Sequence, residues 1–445
     1  MMTATKLLRA GILLLAALPA VAEDSIPATD AGNSIHLHRA TASDRELLKS
    51  SRAEEPGREP APSFVIKTDN NNFVMTIGGE INPILGWDIG NDLYKQDGAG
   101  ISFVTSSIPV PSMQGHRSDY FINPLNGHLF LQIVGFASTP NQISAYLKAG
   151  TNGEDSKIVL KRAYMSWRNF TAGLKLTLFQ DANACQPPTI DPQGPSGCAT
   201  TAAYEIGYTS KSYNGFRFAV AIDMPSYYTS QGYYRGKDYP IFDGQQVLNG
   251  NVEEMVPDIP AWVEYSWSKM NRVRLSGLFR HYAYRDLVAD KRRGVIGWGA
   301  MLSGNLQPAK PVTFYYQFVY GHGIGAYIQD IAGKPISFVP DNAAPGKMKT
   351  APMMGANIGV SINPTPKLQF NAMFSEARIW DVSDYCNALP EDQNYKYALY
   401  GAVNCFYNIT SYLQVGVEYL YGHRQTWNIG GADDSRIQTQ LAFTF

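Results

Sequence analysis

Hydrophobic and polar residues alternate with a period of two from residue 73 to residue 445. In the segment FVMTIGGEINPILGW, Met75 and Ile77 fall on one face of a strand, whereas Thr76 and Glu80 fall on the other. Sixteen such segments follow one another, each about nine to sixteen residues long, as tilted membrane-crossing strands are. The pattern therefore predicts an all-β protein, a transmembrane antiparallel β-barrel of sixteen strands over residues 73–445.

The connections between these segments alternate between short and long. The short ones include STPN, NFT and KSYN. Short turns at one end of a barrel and long loops at the other are typical of outer-membrane proteins, whose short turns face the periplasm. An even number of strands then places both ends of the barrel sequence on the periplasmic side. The long connections cover roughly 89–124, 182–201, 224–259, 322–350 and 380–396.

A secreted soluble β-protein is the alternative, because single alternating segments fit it equally well. In such a protein Lys and Glu should dominate the polar face, whereas here Gln, Asn, Ser, Thr, Tyr and Arg do, as a water-filled lumen requires. The apolar face carries aromatic residues near the segment ends, which is typical of girdles at the two membrane interfaces. These aromatic residues are Trp87, Trp167, Tyr265, Trp267, Phe318, Tyr320, Tyr419, Tyr421, Phe443 and Phe445.

Composition and the first residues agree with export to the outer membrane of a Gram-negative cell. Residues 1–22 contain Lys6 and Arg9, then an apolar run, then Ala20-Val21-Ala22, which is the pattern of a cleaved secretory signal. The alternative, a membrane anchor, is disfavoured because the run is too short to cross about 30 Å of hydrocarbon as a helix. The net charge of −1 gives no reason to expect a nucleic-acid partner.

Residues 23–72 differ from the rest, being polar and rich in proline towards their end. They are predicted to form a periplasmic arm, and a disordered leader is the alternative. A short helix from about Ser43 to Glu55 fits the sequence, with Ser43 as its N-cap and Glu46 three residues later.

The four cysteines are expected to form disulfides, since the chain is exported. Four cysteines allow three connectivities. Pairing of neighbours, Cys185 with Cys198 and Cys386 with Cys405, closes two short loops and is favoured; free thiols are the alternative. No cysteine or histidine has the spacing of a zinc site.

The connection at roughly 182–201 includes most of the sequence DANACQPPTIDPQGPSGCAT, which runs from residue 181 to residue 200. Its prolines restrict the backbone, and a Cys185–Cys198 bridge would fix its outline. A loop of this kind is predicted to fold into the lumen and set the width of the pore. The alternative is a lid exposed outside the barrel.

Several cations occupy the face predicted to line the lumen. Arg272, Arg274 and Arg280 share the inward parity of one segment, and rings of Arg or Lys in a pore favour anions. The alternative is that the cations form ion pairs with wall carboxylates and stiffen the barrel; these carboxylates are Glu80, Asp88, Glu205, Glu264, Glu376 and Glu418. Lys161 breaks the pattern by following the outward parity. The other candidate pore cations are Arg162, Arg168, Lys367, Arg424 and Arg436.

Four stretches resemble the DcaP-like trimeric porins of the Gram-negative outer membrane. They are MTIGGEI in the first strand, LKRAYMSWRNFTAGLKLTLFQD, PPTIDPQGP and the terminal EYLYGHRQTWNIGGADDSRIQTQLAFTF. In the third, Asp191, Gly194 and Pro195 match the family's constriction-loop motif. The resemblance implies a sixteen-stranded trimer, passive uptake of small anions such as dicarboxylates, and a periplasmic coiled coil, although the arm here lacks sustained heptads. The terminal Phe445 resembles the signal that barrel-assembly machinery recognises.

The sequence therefore predicts an outer-membrane porin for passive diffusion of small anionic or neutral solutes, with surrounding lipid and two further copies of itself as partners. No catalytic motif is recognisable among the seven histidines, and neither enzymatic activity nor a cofactor is predicted. The alternatives are a substrate-specific transporter and an outer-membrane enzyme or adhesin on the same barrel.

Overall fold

The computed structural model describes residues 35–445 apart from 51–63, 69–71, 92, 94–100, 111–117, 125, 152–157, 226–251, 254–255, 287–288, 290, 342, 345–346, 388, 390 and 393. The predicted signal at 1–22 lies outside the described residues. The arm contributes strand β1 (Ile35–Arg39), helix α1 (Ala42–Ser50) and strand β2 (Phe64–Thr68).

The helix of the arm begins earlier than its sequence pattern suggests. Thr41 caps it, because the Thr41 hydroxyl accepts from the Asp44 N–H at 3.2 Å while Asp44 Oδ2 accepts from the Thr41 N–H at 2.9 Å. This reciprocal pair satisfies two N–H groups at the start of the helix. The expected cap at Ser43 is therefore wrong, since Ser43 already lies within the helix.

Sixteen strand positions form the closed antiparallel barrel, as predicted. Three positions are built from two consecutive strands. The first consists of β3 (Phe73–Ile81) and β4 (Ile84–Ile89), which are separated at Pro83, a residue with no N–H for the ladder. The second consists of β5 (Asp119–Asn123) and β6 (Gly127–Gly135).

The remaining barrel strands follow in order around the wall. Most pair with their sequence neighbours through tight turns, as the short connections predict. The third double position consists of β12 (Val252–Glu253) and β13 (Ile259–Ser268), which both pair with β14 (Asn271–Asp286). The strands are β7 (Ile143–Thr151), β8 (Ile158–Trp167), β9 (Phe170–Leu176), β10 (Ala202–Thr209), β11 (Phe216–Pro225), β12 (Val252–Glu253), β13 (Ile259–Ser268), β14 (Asn271–Asp286), β15 (Lys291–Ala309), β16 (Val312–His322), β19 (Pro352–Ile362), β20 (Leu368–Ile379), β21 (Tyr397–Asn408), β22 (Leu413–Gln425) and β23 (Gly431–Thr444). Outside the barrel wall, β17 (Phe338–Pro340) pairs with β18 (Met348–Thr350).

The barrel closes where β23 pairs with the first position. β23 runs beside β4 and then meets β3, where Phe443 lies opposite Ile81. The Phe445 N–H donates to the Gly79 carbonyl at 3.0 Å. Beyond this point β2 takes over the same edge of β3, with Ile66 opposite Met75. The arm strand β2 thus pairs with the part of the β3 edge that β23 does not reach, and such protection of sheet edges is usual in stable proteins.

The two faces of the wall differ as the alternation predicts. On β14 the outward Leu275 is 62% exposed, whereas the inward Arg274 is 1% exposed. Large apolar side chains cover the outside of the barrel around its circumference, which is the surface that hydrocarbon requires. The ends of the barrel are called here the turn end, with the short connections, and the loop end, with the long ones.

Part of the lumen near the loop end is filled by the long loops. The described residues of 323–351 and 380–396, including helix α2 (Ser383–Cys386), pack against the inward faces of β14–β16 and β19–β21. Tyr282 stacks on Phe338 with ring centroids 5.0 Å apart, and Tyr327 and Met353 are fully buried in the same cluster. The long loops therefore fill the lumen along this part of the wall.

Candidate functional site

The connection between β9 and β10, residues 177–201, lies inside the barrel. Its backbone N–H groups donate to inward side chains on the far wall: Ala199 to Gln317 Oε1 at 2.6 Å and Gly197 to Ser375 Oγ at 2.8 Å. The Ile190 and Asp191 N–H groups both donate to the Glu418 carboxylate, at 3.1 and 2.9 Å. The structure thus places the predicted 182–201 loop across the lumen.

Asp191 organises the tip of this loop. Its Oδ1 accepts from the Phe103 N–H at 2.9 Å, and its Oδ2 accepts from the Tyr400 hydroxyl at 3.0 Å and the Gly194 N–H at 3.2 Å. Gly194 has φ of +76°, a conformation that glycine adopts without strain. Burial, aided by the neighbouring Glu418, raises the pKa of Asp191 to about 7.

Pro195 and the two loop cysteines complete the fixed outline. The Pro195 carbonyl accepts from the Cys198 N–H at 3.1 Å. Cys185 and Cys198 form a disulfide with their Cα atoms 5.8 Å apart, as predicted. The loop is therefore closed on itself as well as tied to the wall.

The second predicted bridge is wrong, because Cys386 and Cys405 are both free. Cys386 is buried in α2 among the loop-end loops, whereas Cys405 lies on the outward face of β21 towards the turn end. The barrel wall separates the two thiols. Short sequence spacing favoured the pairing, but alternation of side chains across the wall prevents it.

The three arginines of β14 face the lumen, and each forms an ion pair. Arg272 pairs with Asp181 and with Glu264 Oε2 at 2.6 Å. Arg274 Nη2 lies 2.7 Å from Glu264 Oε2, and Arg280 Nε lies 2.9 Å from Asp258 Oδ2. All three guanidinium groups are buried, so they stiffen the wall and anchor the start of the inward loop.

Arg424 and Arg436 are also buried and hold loops. Arg436 pairs with Asp88 and donates to the Ile101 carbonyl at 2.8 Å. Arg424 donates to the carbonyls of Ile108, Glu391 and Asn394, at 3.0, 2.6 and 3.2 Å. Both side chains thus join the wall to the loop-end loops.

Of the other three predicted pore cations, one lies on the inward face of a barrel strand and two lie in turns. Arg162 faces inward on β8, beside a β-bulge at Lys161, and the bulge explains why Lys161 breaks the alternation. Arg168 lies in the β8–β9 turn, where it donates to Asn141 Oδ1 at 3.3 Å. Lys367 is exposed in the turn before β20. The last two therefore lie at the turn end and not on barrel strands.

A polar cavity of about 340 Å³ lies on the turn side of the inward loop, along β7–β14. Its lining combines Ser and Thr hydroxyls with five cations, and no carboxylate belongs to the lining among the described residues. The cations are Arg168, Lys175, Lys211, Arg217 and Arg274. The lining is therefore rich in cations, of which Lys175 pairs with Glu205, and Arg217 and Arg274 pair with Glu264, behind the cavity surface.

Arg217 on β11 is the inward arginine that the sequence reading missed. Its side chain is 32% exposed, whereas that of Arg274 is 1% exposed, and both pair with Glu264: Arg217 Nη1 lies 3.6 Å from Oε1 and Arg274 Nη2 lies 2.7 Å from Oε2. The guanidinium groups of both lie over the ring of Trp262, at 5.4 and 4.1 Å from its centroid. Arg217 shares its parity with the buried Ala219 and Ala221, and this alternation was the signal that could have identified it.

Among the described residues, no helix is long and apolar enough to cross a membrane, and no cluster of His, Cys, Asp or Glu could hold a metal ion.

Three solved structures show the same fold. The outer membrane channel DcaP of Acinetobacter baumannii is 15% identical, with a TM-score of 0.66 over 85% of this chain and 99% of that one. An anion-selective porin from Comamonas acidovorans is 12% identical, with a TM-score of 0.50 over 84% and 100%. Salmonella typhi OmpF, in complex with daunomycin, is 9% identical, with a TM-score of 0.50 over 84% and 99%.

No protein-family model and no curated protein matches this sequence. The closed barrel, its apolar outer face and the shared fold make the chain an integral outer-membrane protein with porin architecture.

Proposed function

We propose that this protein is an outer-membrane porin through which small hydrophilic solutes diffuse passively. The observation that carries the proposal is the 177–201 loop, which is fixed across the lumen beside a polar cavity. Barrels of sixteen strands are wide enough to leave an aqueous channel, and a rigid inward loop narrows that channel to a defined size. The turn end faces the periplasm, since short turns do so in such barrels.

We further propose that the pore prefers anions. The support is the set of cations that line the cavity, among which Arg217 faces inward with a side chain that is 32% exposed; its ion pair with Glu264, at 3.6 Å, is longer than the 2.7 Å pair of Arg274 with the same carboxylate. The buried β14 arginines contribute less to this preference, because Asp181, Glu264 and Asp258 neutralise them at short range. The Comamonas porin of the same fold is anion-selective, and the sequence resemblance implies dicarboxylate-like solutes and a homotrimer.

Single-channel recording of the purified protein in planar bilayers tests the proposal. We expect an open pore whose current is linear in voltage, and a reversal potential in a KCl gradient that reports chloride preference. A reversal potential that reports potassium preference would overturn the anion assignment alone. Absence of any conductance would overturn the porin and favour the substrate-specific transporter, for which saturable uptake of a solute would be expected.

A further inference from the structure

The arm helix α1 lies inside the turn end of the barrel. Leu48 is 1% exposed and packs with Val74 of β3, Val134 of β6 and Val65 of β2. Gln132, which faces inward on β6, donates from Nε2 to the Leu48 carbonyl at 2.7 Å. An apolar contact and a buried hydrogen bond therefore fix the last turn of the helix to the inner wall.

Polar contacts fix the first turn of the helix and the strands around it. Asp44 caps the helix with Thr41 and also lies 3.4 Å from Lys67 Nζ on β2. Arg39 on β1 reaches the Tyr412 hydroxyl, in the β21–β22 turn, at 3.3 Å. The Thr76 hydroxyl of β3 donates to the Phe64 carbonyl at 2.8 Å. The helix is thus held from both of its ends by side chains of the barrel and the arm.

The helix also borders the space through which a solute would pass. Ser50, its last residue, lines the 340 Å³ cavity together with Ser144 and Ser166 of the wall. The cavity is therefore bounded by the 177–201 loop on its loop side and by α1 on its turn side. A helix with its side chains is about 10–12 Å across, which is a large obstacle in the mouth of such a barrel.

We propose that α1 is a second size filter, which narrows the periplasmic mouth in series with the 177–201 loop. This inference rests on the proposed porin function, because it requires a conducting pore. Two filters in series make the cavity between them a short compartment, and solutes leave it past the helix. The arm of this chain is then a determinant of permeability and not only an appendage of the barrel.

Release of the helix from its seat tests this inference. Leu48→Gln removes the apolar contact with Val74 and Val134, and Glu46→Gln, on the exposed face of the same helix, is the matched control. Single-channel conductance in KCl should rise about twofold in Leu48→Gln, since an obstacle about 10–12 Å across leaves the mouth. It should not change in Glu46→Gln. In liposome swelling, a trisaccharide should gain more in rate than glucose.

The outcomes separate the two proposals. A wild-type protein without conductance overturns the porin. A conducting wild type, with Leu48→Gln unchanged in both conductance and sugar limit, overturns the second filter alone. If Leu48→Gln does not assemble a heat-modifiable barrel, Gln132→Met is used in its place. This variant removes the hydrogen bond to the Leu48 carbonyl and is also expected to raise the conductance. An unchanged Gln132→Met pore would then count against the filter.

Discussion

Arg436 and Asp88 form a two-point ion pair across the seam of the barrel. Arg436 Nε lies 2.5 Å from Asp88 Oδ1 and Nη2 lies 3.1 Å from Oδ2, and both side chains are fully buried. The two residues lie directly opposite each other on β23 and β4. The last and first strand positions are therefore joined by a charged contact in addition to backbone hydrogen bonds, and Arg436 serves closure more than solute selection.

Removal of Asp88 should destabilise the barrel strongly. Asp88→Ala leaves the Arg436 guanidinium buried without its carboxylate, and loss of one partner from a buried pair costs about 3–5 kcal/mol. On electrophoresis of heated samples, the band of the folded barrel should therefore convert to the unfolded band at a lower temperature than in the wild type. Asp433→Ala on β23, the strand of Arg436, is the control, since that carboxylate is largely exposed. Equal melting of the two variants would contradict the structural role of the pair.

Neutralisation of Arg217 should weaken the anion preference. Arg217→Gln removes the partly exposed cation beside Trp262 and leaves more of the Glu264 charge unbalanced, so the reversal potential in a KCl gradient should move towards potassium. Lys310→Gln, in the exposed β15–β16 turn, removes the same charge away from the cavity and should leave the potential unchanged. A shift of equal size in both variants would mean that net charge, and not the cavity, sets selectivity.

Glu418→Gln should loosen the inward loop. The Glu418 carboxylate accepts from the Thr189 hydroxyl at 2.6 Å and from the Ile190 and Asp191 N–H groups. An amide of the same shape turns one acceptor into a donor, so the loop loses part of its anchor. Conductance should become larger and noisier. Glu376→Gln on the outward face of β20 is the control; a quiet Glu418→Gln pore of wild-type size would disprove the anchoring role.

The thiol count distinguishes the observed disulfide from the predicted pair. The denatured, unreduced protein should titrate two thiols, Cys386 and Cys405, and four after reduction. Replacement of both Cys185 and Cys198 by serine should lower stability by about 3 kcal/mol, the value for closure of a loop of about 15 residues. No free thiols before reduction would restore the second bridge.

The stability of the loop anchor should depend on pH near neutrality. Burial raises the pKa of Asp191 to about 7, above about 3.9 for an unfolded aspartate. The folded state therefore binds a proton more readily than the unfolded state, and its stability should increase as pH falls from above 7 towards 4. Thermal melting at pH 8 and pH 5 measures this. Asp191→Asn keeps an acceptor at Oδ1 but does not titrate, so the melting temperature of this variant should differ less between pH 8 and pH 5.

The sequence predicts the barrel well because lipid and water impose opposite chemistry on the two faces of every strand. Leu275 and Arg274 show this directly, one exposed to the outside and one buried within. The same alternation explains why Cys386 and Cys405 cannot meet, a consequence that spacing along the chain does not reveal.

Partners in the lumen were harder to predict than strands. The parity of β14 indicates that Arg272, Arg274 and Arg280 face inward, but not that Asp181 and Asp258 approach them from connections that precede β10 and β13. Arg217 was overlooked because it stands alone in its segment. Long-range pairing decides which cation is neutralised and which meets solute, and a single sequence does not encode that pairing locally.

The arm strand also limits how the barrel can be staggered. If β23 shifted along its neighbouring strand, it would have to shift by two residues to keep its apolar side chains on the outside of the barrel. A slip of that size along β3 would bring Phe445 opposite Ile77, beside Phe64, whose carbonyl already accepts from Thr76. The stagger between strands sets the tilt of the wall and the diameter of a barrel. Strand β2, which belongs to the arm, therefore blocks a shift in the register of β23. It thereby helps to fix the diameter of the barrel.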